Sequence, residues 1–285
     1  MTTVALLGTG LMGAGMARSM ARAGLRVNAW NRTLEKALPL EAAGIVVARE
    51  PEDAVRDADV IVTMLFDGET VEQSMRRVLD ALPERAVWVQ CSTVGLEWTE
   101  RLAGLAQNHG VAFVDAPVLG TRQPAENGAL AVFAAGPSAV RERVAPVFDA
   151  IGSRTVWVGE QPGAGHRLKL TANAWVLAVT AATAQSVGLA ERLGVDPRLF
   201  LESIAGGALD CRYAQIKGPA MIEGDFAPSF SLAGAIKDAA LVEQATRAAG
   251  GNGELMGALR AAYEAAGRGV DADGEDMAAV IRAFA

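Results

Sequence analysis

Val4-Ala5-Leu6-Leu7-Gly8-Thr9-Gly10-Leu11-Met12-Gly13 is the stretch on which the fold turns. Four apolar residues suit a buried strand, three glycines at GxGxxG spacing follow at once, and a helical pattern continues over 12–23. The glycine spacing alone is a weak signal, because glycine-rich loops are common. Between a strand and a helix it becomes specific. Gly8 permits the tight turn, Gly10 lets the backbone approach a pyrophosphate, and Gly13 lets the helix pack close to the strand. The anion then rests on the helix N-terminus, where unpaired N–H groups and the helix dipole favour negative charge. Gly8, Gly10, Leu11, Met12 and Gly13 are therefore the candidate cofactor loop.

Outward from this loop, short β-branched runs alternate with helical stretches, as βαβ units and a parallel sheet require. Candidate strands are 4–7, 26–30, 45–48, 60–65, 87–90, 112–115, 131–134 and 155–158, with helices such as 12–23 and 71–79 between the early ones. After Gly159 the strand signal stops. Pro162-Gly163-Ala164-Gly165 reads as a turn, and helical patterns follow at 166–193, 197–204, 214–222, 233–249, 254–266 and 274–283. Asp196-Pro197 is a helix start and Gly194 a stop. The reading is an α/β Rossmann domain with a mostly parallel sheet over 1–163, then an all-α domain over 164–285 for substrate and oligomerisation.

Composition agrees with a folded, globular chain. Of 285 residues, 51% are hydrophobic and 21% charged, which suits globular domains rather than disorder. The net charge is -7 with no Lys/Arg cluster, which argues against nucleic acid or an anionic membrane as partner. Residues 170–190 carry no charge, yet Ala, Thr, Ser, Asn and Gln dominate them, so a buried helix is expected rather than a membrane span. The N-terminus has no charged n-region or cleavage site and reads as a first strand, not a signal peptide. Cys91 and Cys211 form no metal or CxxC pattern, and His109 and His166 cannot supply a His-rich metal site. No metal and a reducing, cytoplasmic location are the expectations.

The residue after the second strand separates NAD from NADP, because a carboxylate there binds ribose hydroxyls and repels a 2′-phosphate. Here Trp30 is followed by Asn31, Arg32 and Thr33, with no acid. Arg32 suits two-pronged phosphate recognition, which points to NADP(H). Lys169 follows the Gly-Ala-Gly turn at the head of the charge-free helix, and Asn173 lies four residues on, on the same face. From the residues alone Lys169 is either a snorkelling end-cap or a functional amine at a domain junction.

Four separated segments resemble the β-hydroxyacid dehydrogenase family, 3-hydroxyisobutyrate dehydrogenase-like, and within it the glyoxylate/succinic semialdehyde reductase branch. They are Gly8–Gly13 continuing into Met16-Ala17; Asp115-Ala116-Pro117-Val118-Leu119-Gly120-Thr121 with Pro124-Ala125-Glu126; Gly163-x-Gly165-x-x-x-Lys169-x-x-x-Asn173; and Phe230…Lys237-Asp238. The resemblance implies that Lys169 and Asn173 are catalytic and that Lys237 lies over the cofactor. It also implies that Met64, Leu65 and Phe66 border the nicotinamide, although proline is usual at position 66, and that Ser92 and Thr93 approach nicotinamide and substrate. Ser92, Leu119, Gly120 and Thr121 are its substrate-binding positions. Leu119 stands where the family usually has serine, which removes a hydroxyl donor and adds apolar bulk.

The implied chemistry is hydride transfer between NADP(H) and a small carbonyl or hydroxy acid, with Lys169 giving a proton to the developing alkoxide. Desolvation and nearby cations such as Lys237 are expected to lower the pKa of that amine. Arg212, beside Asp210 and Tyr213, is a candidate to bind an acid substrate in place of the lost serine. His166 is expected to be structural or at the rim, Trp175 buried or part of a pocket wall, and Met12, Met16 and Met20 core. An imine reductase is the nearest alternative, although those enzymes usually carry Asp or Tyr in place of Lys169. A non-catalytic NADP-binding protein is another, and a 6-phosphogluconate-type enzyme would be longer and more basic at its site. A small-molecule substrate and a homodimer or homotetramer complete the expectations.

Overall fold

Strand β1 (Thr3–Leu7) is buried along its whole length and passes through the glycine loop into α1 (Leu11–Arg22). There follow β2 (Arg26–Trp30), β3 (Val46–Val47), α2 (Pro51–Val55), β4 (Val60–Thr63), α3 (Gly68–Val78), β5 (Val87–Gln90), α4 (Leu96–Asn108) and β6 (Ala112–Asp115). These six strands pair in parallel in the order β3-β2-β1-β4-β5-β6. This is the doubly wound arrangement: the chain leaves β1 towards β2 on one side and returns to β4 on the other. The loops after β1 and β4 therefore part at the carboxyl edge of the sheet, where such folds bind ligands. The computed structural model describes residues 1–284.

The sheet continues with β7 (Val118–Leu119), α5 (Arg122–Glu126), β8 (Leu130–Ala135), α6 (Arg141–Ile151) and β9 (Gly152–Gly159). β8 runs antiparallel to β6 and β7, and β9 parallel to β8. Both faces are covered, so the central strands are continuously apolar rather than alternating. Val4, Leu6, Met16, Met20, Val62, Val89 and Val114 pack on one face. Ala5, Leu7, Ile61, Met75, Trp88 and Leu102 pack on the other. Met16 and Met20 are core, as their spacing suggested, while Met12 is half-buried.

Two strand expectations need correction. The run 45–48 pairs only at Val46–Val47, and the run 60–65 leaves the sheet after Thr63, where Leu65 N–H turns to donate to Ser92 Oγ (2.8 Å). β7 went unread because two residues are too few to show a period.

By backbone contacts the chain divides into two compact units, Met1–Lys169 and the residues from Leu170 onward. Helix α7 (Ala164–Arg192) begins in the first unit and runs on as the first helix of the second. The second unit continues with α8 (Pro197–Ile204), α9 (Arg212–Glu223), α10 (Leu232–Ala248) and α11 (Glu254–Ala266). Asp196 caps α8 through Arg198 N–H, with Pro197 in the first turn. The expected last helix over 274–283 is instead a run of tighter 3-10 turns over Met277–Ala283, started by Asp276 capping Ala278.

Asp276 is 3% exposed and fully engaged. Its carboxylate accepts from Lys217 Nζ (2.6 Å), Ser229 N–H and Oγ–H, Phe230 N–H and Ala278 N–H. Buried Tyr263 donates to the Leu177 carbonyl (2.9 Å), tying α11 to α7. Among the described residues no helix is long and apolar enough to cross a membrane.

Candidate active site

The glycine loop is shaped by what its backbone must pass. A Cβ on Gly8 would lie 2.2 Å from the Met64 carbonyl, and Gly8 has φ +109°, where side chains are strained. A Cβ on Gly13 would lie 2.0 Å from the Gly8 carbonyl, so only glycine lets α1 start this close to β1. Gly10 differs: its Cβ would meet nothing within 4 Å, and it caps α1 without any side-chain hydrogen bond. The first N–H groups of α1 thus open onto a space that no side chain fills, and Thr9 Oγ1 beside them is buried without a partner. A pyrophosphate fits those unmet donors.

Asn31 joins this loop to the one after β2. Its Oδ1 accepts from Thr9 N–H (3.0 Å) while its Nδ2 donates to the Thr33 carbonyl (2.9 Å). Arg32 and Thr33 are exposed beside it. None of the three residues that follow β2, Asn31, Arg32 and Thr33, is an acid.

After β4 and β5 a buried polar chain fixes the next two loops. Trp88 Nε1–H donates to Thr63 Oγ1 (3.0 Å), which donates to Gln90 Oε1 (3.2 Å). Gln90 holds both backbone groups of Ser92, whose hydroxyl oxygen receives Leu65 N–H. The Met64-Leu65-Phe66 turn and the Ser92-Thr93 pair therefore belong to one hydrogen-bonded body. Phe66 is 49% exposed and Thr93 half-buried. Cys91 between them is wholly buried, and burial, helped by the charge of Asp115, pushes its thiol pKa far up, so it is unreactive.

Asp115, at the end of β6, carries the start of α7. Its Oδ2 accepts from Gly163 N–H (2.8 Å) and His166 N–H (3.1 Å), and its Oδ1 lies 2.5 Å from His166 Nδ1. His166 Nε2 accepts from Val94 N–H (3.2 Å), which leaves Nδ1 to carry the proton towards the carboxylate. A Cβ on Gly165 would lie 2.4 Å from the Phe133 carbonyl, so the first turn of α7 presses directly on the sheet. Lys169, three residues past His166, is 6% exposed.

One turn further along α7, Asn173 is 1% exposed. Its Nδ2 donates to Asp238 Oδ2 (2.7 Å), and Lys237 Nζ pairs with Asp238 Oδ1 (2.6 Å). Asp238 thus joins Asn173 and Lys237, and its carboxylate offsets part of the charge of the lysine that was expected to act as a nearby cation. Asp115 and Asp238 are the residues that sequence reasoning left without a role, although both stood inside quoted motifs. For Asp238 the signal was a carboxylate directly beside a lysine, whereas Asp115 had no local signal, because its partners lie 48 and 51 positions further on.

Leu119 in β7 is half-buried, and Gly120 after it has φ +138°, with Leu130 and Pro124 crowding the place of a Cβ. Thr121 then starts α5, whose Glu126 pairs with Arg18 on α1 (3.3 Å). The expected grouping of Asp210, Arg212 and Tyr213 is not formed. Asp210 accepts from Gly206 N–H and Gln215, Tyr213 donates to Met277 Sδ, and Arg212 is exposed at the start of α9. Trp175 is also corrected: it is 66% exposed, because two positions past buried Asn173 lies the far side of the helix. His166 is fully buried, not at a rim. Among the described residues no His, Cys, Asp and Glu group is arranged to hold a metal.

Comparison with known proteins matches both parts of the chain. Residues 3–159 match the NAD binding domain of 6-phosphogluconate dehydrogenase, and residues 163–284 the NAD-binding of NADP-dependent 3-hydroxyisobutyrate dehydrogenase. Glyoxylate/succinic semialdehyde reductase 2, chloroplastic, of Arabidopsis thaliana is 29% identical over 99% of this chain and 79% of its own length. A 3-hydroxyisobutyrate dehydrogenase of Mycobacterium tuberculosis, solved with L-serine, superposes with TM-score 0.86 at 30% identity over 99% and 98% of the two chains. The enzyme of that name from Salmonella typhimurium gives TM-score 0.91 at 25% identity over the whole of both chains.

Proposed function

The chain belongs to the β-hydroxyacid dehydrogenase family, and we propose on that premise that it is an NADP(H)-dependent oxidoreductase of small carbonyl and hydroxy-acid substrates, with Lys169 as general acid and base. Semialdehydes and glyoxylate-like acids are the substrate class. The observation that carries the reading is the buried amine of Lys169, close behind a helix start tied to the Ser92-Thr93 loop.

NADPH, when bound, supplies the hydride to the carbonyl carbon. The amides of Gly10, Leu11, Met12 and Gly13 receive the pyrophosphate, with Gly8 and Gly13 keeping the loop close to the sheet. Asn31, Arg32 and Thr33 take the 2′-phosphate, and Leu65, Phe66, Thr93 and Lys237 bound the nicotinamide half. Lys169 Nζ gives a proton to the carbonyl oxygen as it gains charge and takes it back in the oxidation direction. Asn173, oriented by Asp238, and Ser92 assist at the reacting oxygen. The backbone of Leu119, Gly120 and Thr121 receives the acid group of the substrate, with Arg212 as its side-chain partner. Residues 1–163 are the NADP domain and 164–285 the substrate and oligomerisation domain, of a homodimer or homotetramer.

Lys169→Ala tests the assignment in an NADPH oxidation assay with succinic semialdehyde, glyoxylate and a cyclic imine. The expected result is turnover of the two aldehydes by the parent chain and a loss of about 10²- to 10⁴-fold in the variant, with NADPH affinity kept. Near-normal hydride transfer in Lys169→Ala overturns the role of the amine. Preference for the imine, or NADPH binding without turnover of any of the three, overturns the substrate class.

A further inference from the structure

Resting on the reading of Lys169 above, we propose that His166, held by Asp115, is a positioning residue that sets the proton donor and the Ser92-Thr93 loop in one fixed register. The pair is completely buried, and its contacts exceed what a helix start requires. Capping α7 uses only Asp115 Oδ2, which accepts both Gly163 N–H and His166 N–H. A carboxylate at that place satisfies the helix by itself. The imidazole adds a second connection. Its Nδ1 meets Asp115 Oδ1 at 2.5 Å, and its Nε2 reaches the loop after β5.

There Nε2 lies 3.2 Å from Val94 N and 3.2 Å from the Ser92 carbonyl oxygen, the two backbone groups that bracket Thr93. One ring therefore touches both flanks of Thr93 and the carboxylate that holds the helix start before Lys169. Ser92 is fastened in its turn to Leu65 through its hydroxyl and to Gln90 through its backbone. Hydrogen bonds from Leu65 N–H to Ser92, from Val94 N–H to His166 and from His166 to Asp115 thus join two loops of the sheet's carboxyl edge to the first turn of α7.

Hydride and proton must reach neighbouring atoms of one bond, the carbon and the oxygen of a carbonyl. The groups that aim them have to keep their spacing to within tenths of an ångström, and a shift of about 1 Å costs on the order of 10²-fold. Second-layer hydrogen bonds of this kind set the orientation of the groups that react. His166 does not touch the reacting atoms in this scheme. It fixes the distance between the elements that do.

His166→Gln and Asp115→Asn test this in the full-length protein, with Lys169→Ala run beside them. NADPH affinity is read by fluorescence titration, kcat and KM with succinic semialdehyde, and Tm by thermal melting. In His166→Gln the expected result is a kcat lowered about 10- to 100-fold, with the NADPH Kd and the aldehyde KM within about two-fold of the parent. Asp115→Asn, which keeps an acceptor oxygen for the helix N–H groups, is expected to lower kcat in the same way.

Unchanged kcat in His166→Gln overturns the proposal. So does a loss of NADPH affinity parallel to the loss of kcat, which marks a general disturbance of the domain. Failure of both variants to fold also overturns it, because the pair then serves stability alone. A Lys169→Ala variant with near-normal turnover removes the reading beneath the proposal and the proposal with it. Lost turnover in Lys169→Ala together with unchanged turnover in His166→Gln removes only the positioning role.

Discussion

Arg32 and Asp276 show how single charges act in the two parts of the chain. Arg32 is exposed beside the glycine loop, with no acid among the three residues that follow β2. Its substitution should cost one charged phosphate contact, on the order of 1.5–3 kcal/mol. Arg32→Ala is expected to raise the NADPH Kd by roughly 10- to 100-fold and leave NADH binding within about two-fold, as measured by titration. Equal losses for both cofactors would remove Arg32 from 2′-phosphate recognition. At Asp276, burial raises the carboxyl pKa, but the Lys217 ammonium and the Ala278 and Ser229 N–H groups outweigh it and hold the group below its ordinary value. The unfolded chain then takes up the proton more readily than the native one. The resulting stabilisation is fully present above the ordinary carboxylate pKa of about 4 and is lost as pH falls through the lower native value. Urea unfolding should therefore show a stability gap between parent and Asp276→Asn that is wide near neutral pH and narrows in acid. A gap independent of pH would contradict this.

At the scale of elements, α7 carries the sharpest contrasts. Its first turn sits against the sheet, and Gly165→Ala would drive a methyl group to 2.4 Å from the Phe133 carbonyl and 2.9 Å from that of Asp115. The expected cost is about 1–3 kcal/mol, read as a lower urea midpoint, with kcat falling as the helix start is displaced. Parent-like stability would mean that the close approach is not obligatory. The elements of the parallel sheet were legible because continuous apolar runs and glycine spacing are local signals, and β2, β5 and β6 match their expected bounds. The glycine loop was legible for the same reason. The Asp115–His166 pair was not, since its partners lie 51 positions apart and only folding brings them together. Trp175 was misjudged because a charge-free helix looks buried all round, whereas Thr171, Trp175, Ala182, Gln185 and Leu189 form an open stripe.

On the scale of the whole molecule, the second unit leaves many large apolar side chains uncovered. Trp175, Leu189, Leu193, Leu199, Leu209, Ile216 and Leu255 range from 53% to 81% exposed. Scattered apolar residues are ordinary on a surface, but several along α7 and into α8 suit association between copies. Light scattering after size exclusion should report a homodimer or homotetramer. The double substitution Leu189→Asp with Leu193→Asp should shift it to smaller species without changing the Tm of the first unit. A monomeric parent chain would overturn the proposed assembly.

The openness of Trp175 has an optical consequence. Of the five tryptophans, Trp88 is sealed within the sheet and Trp175 stands in water only six positions past Lys169. Iodide should quench the red-shifted emission of the latter and leave the former untouched. Any event that covers the outer stripe of α7 would then be visible in unlabelled material as a blue shift and a loss of iodide sensitivity.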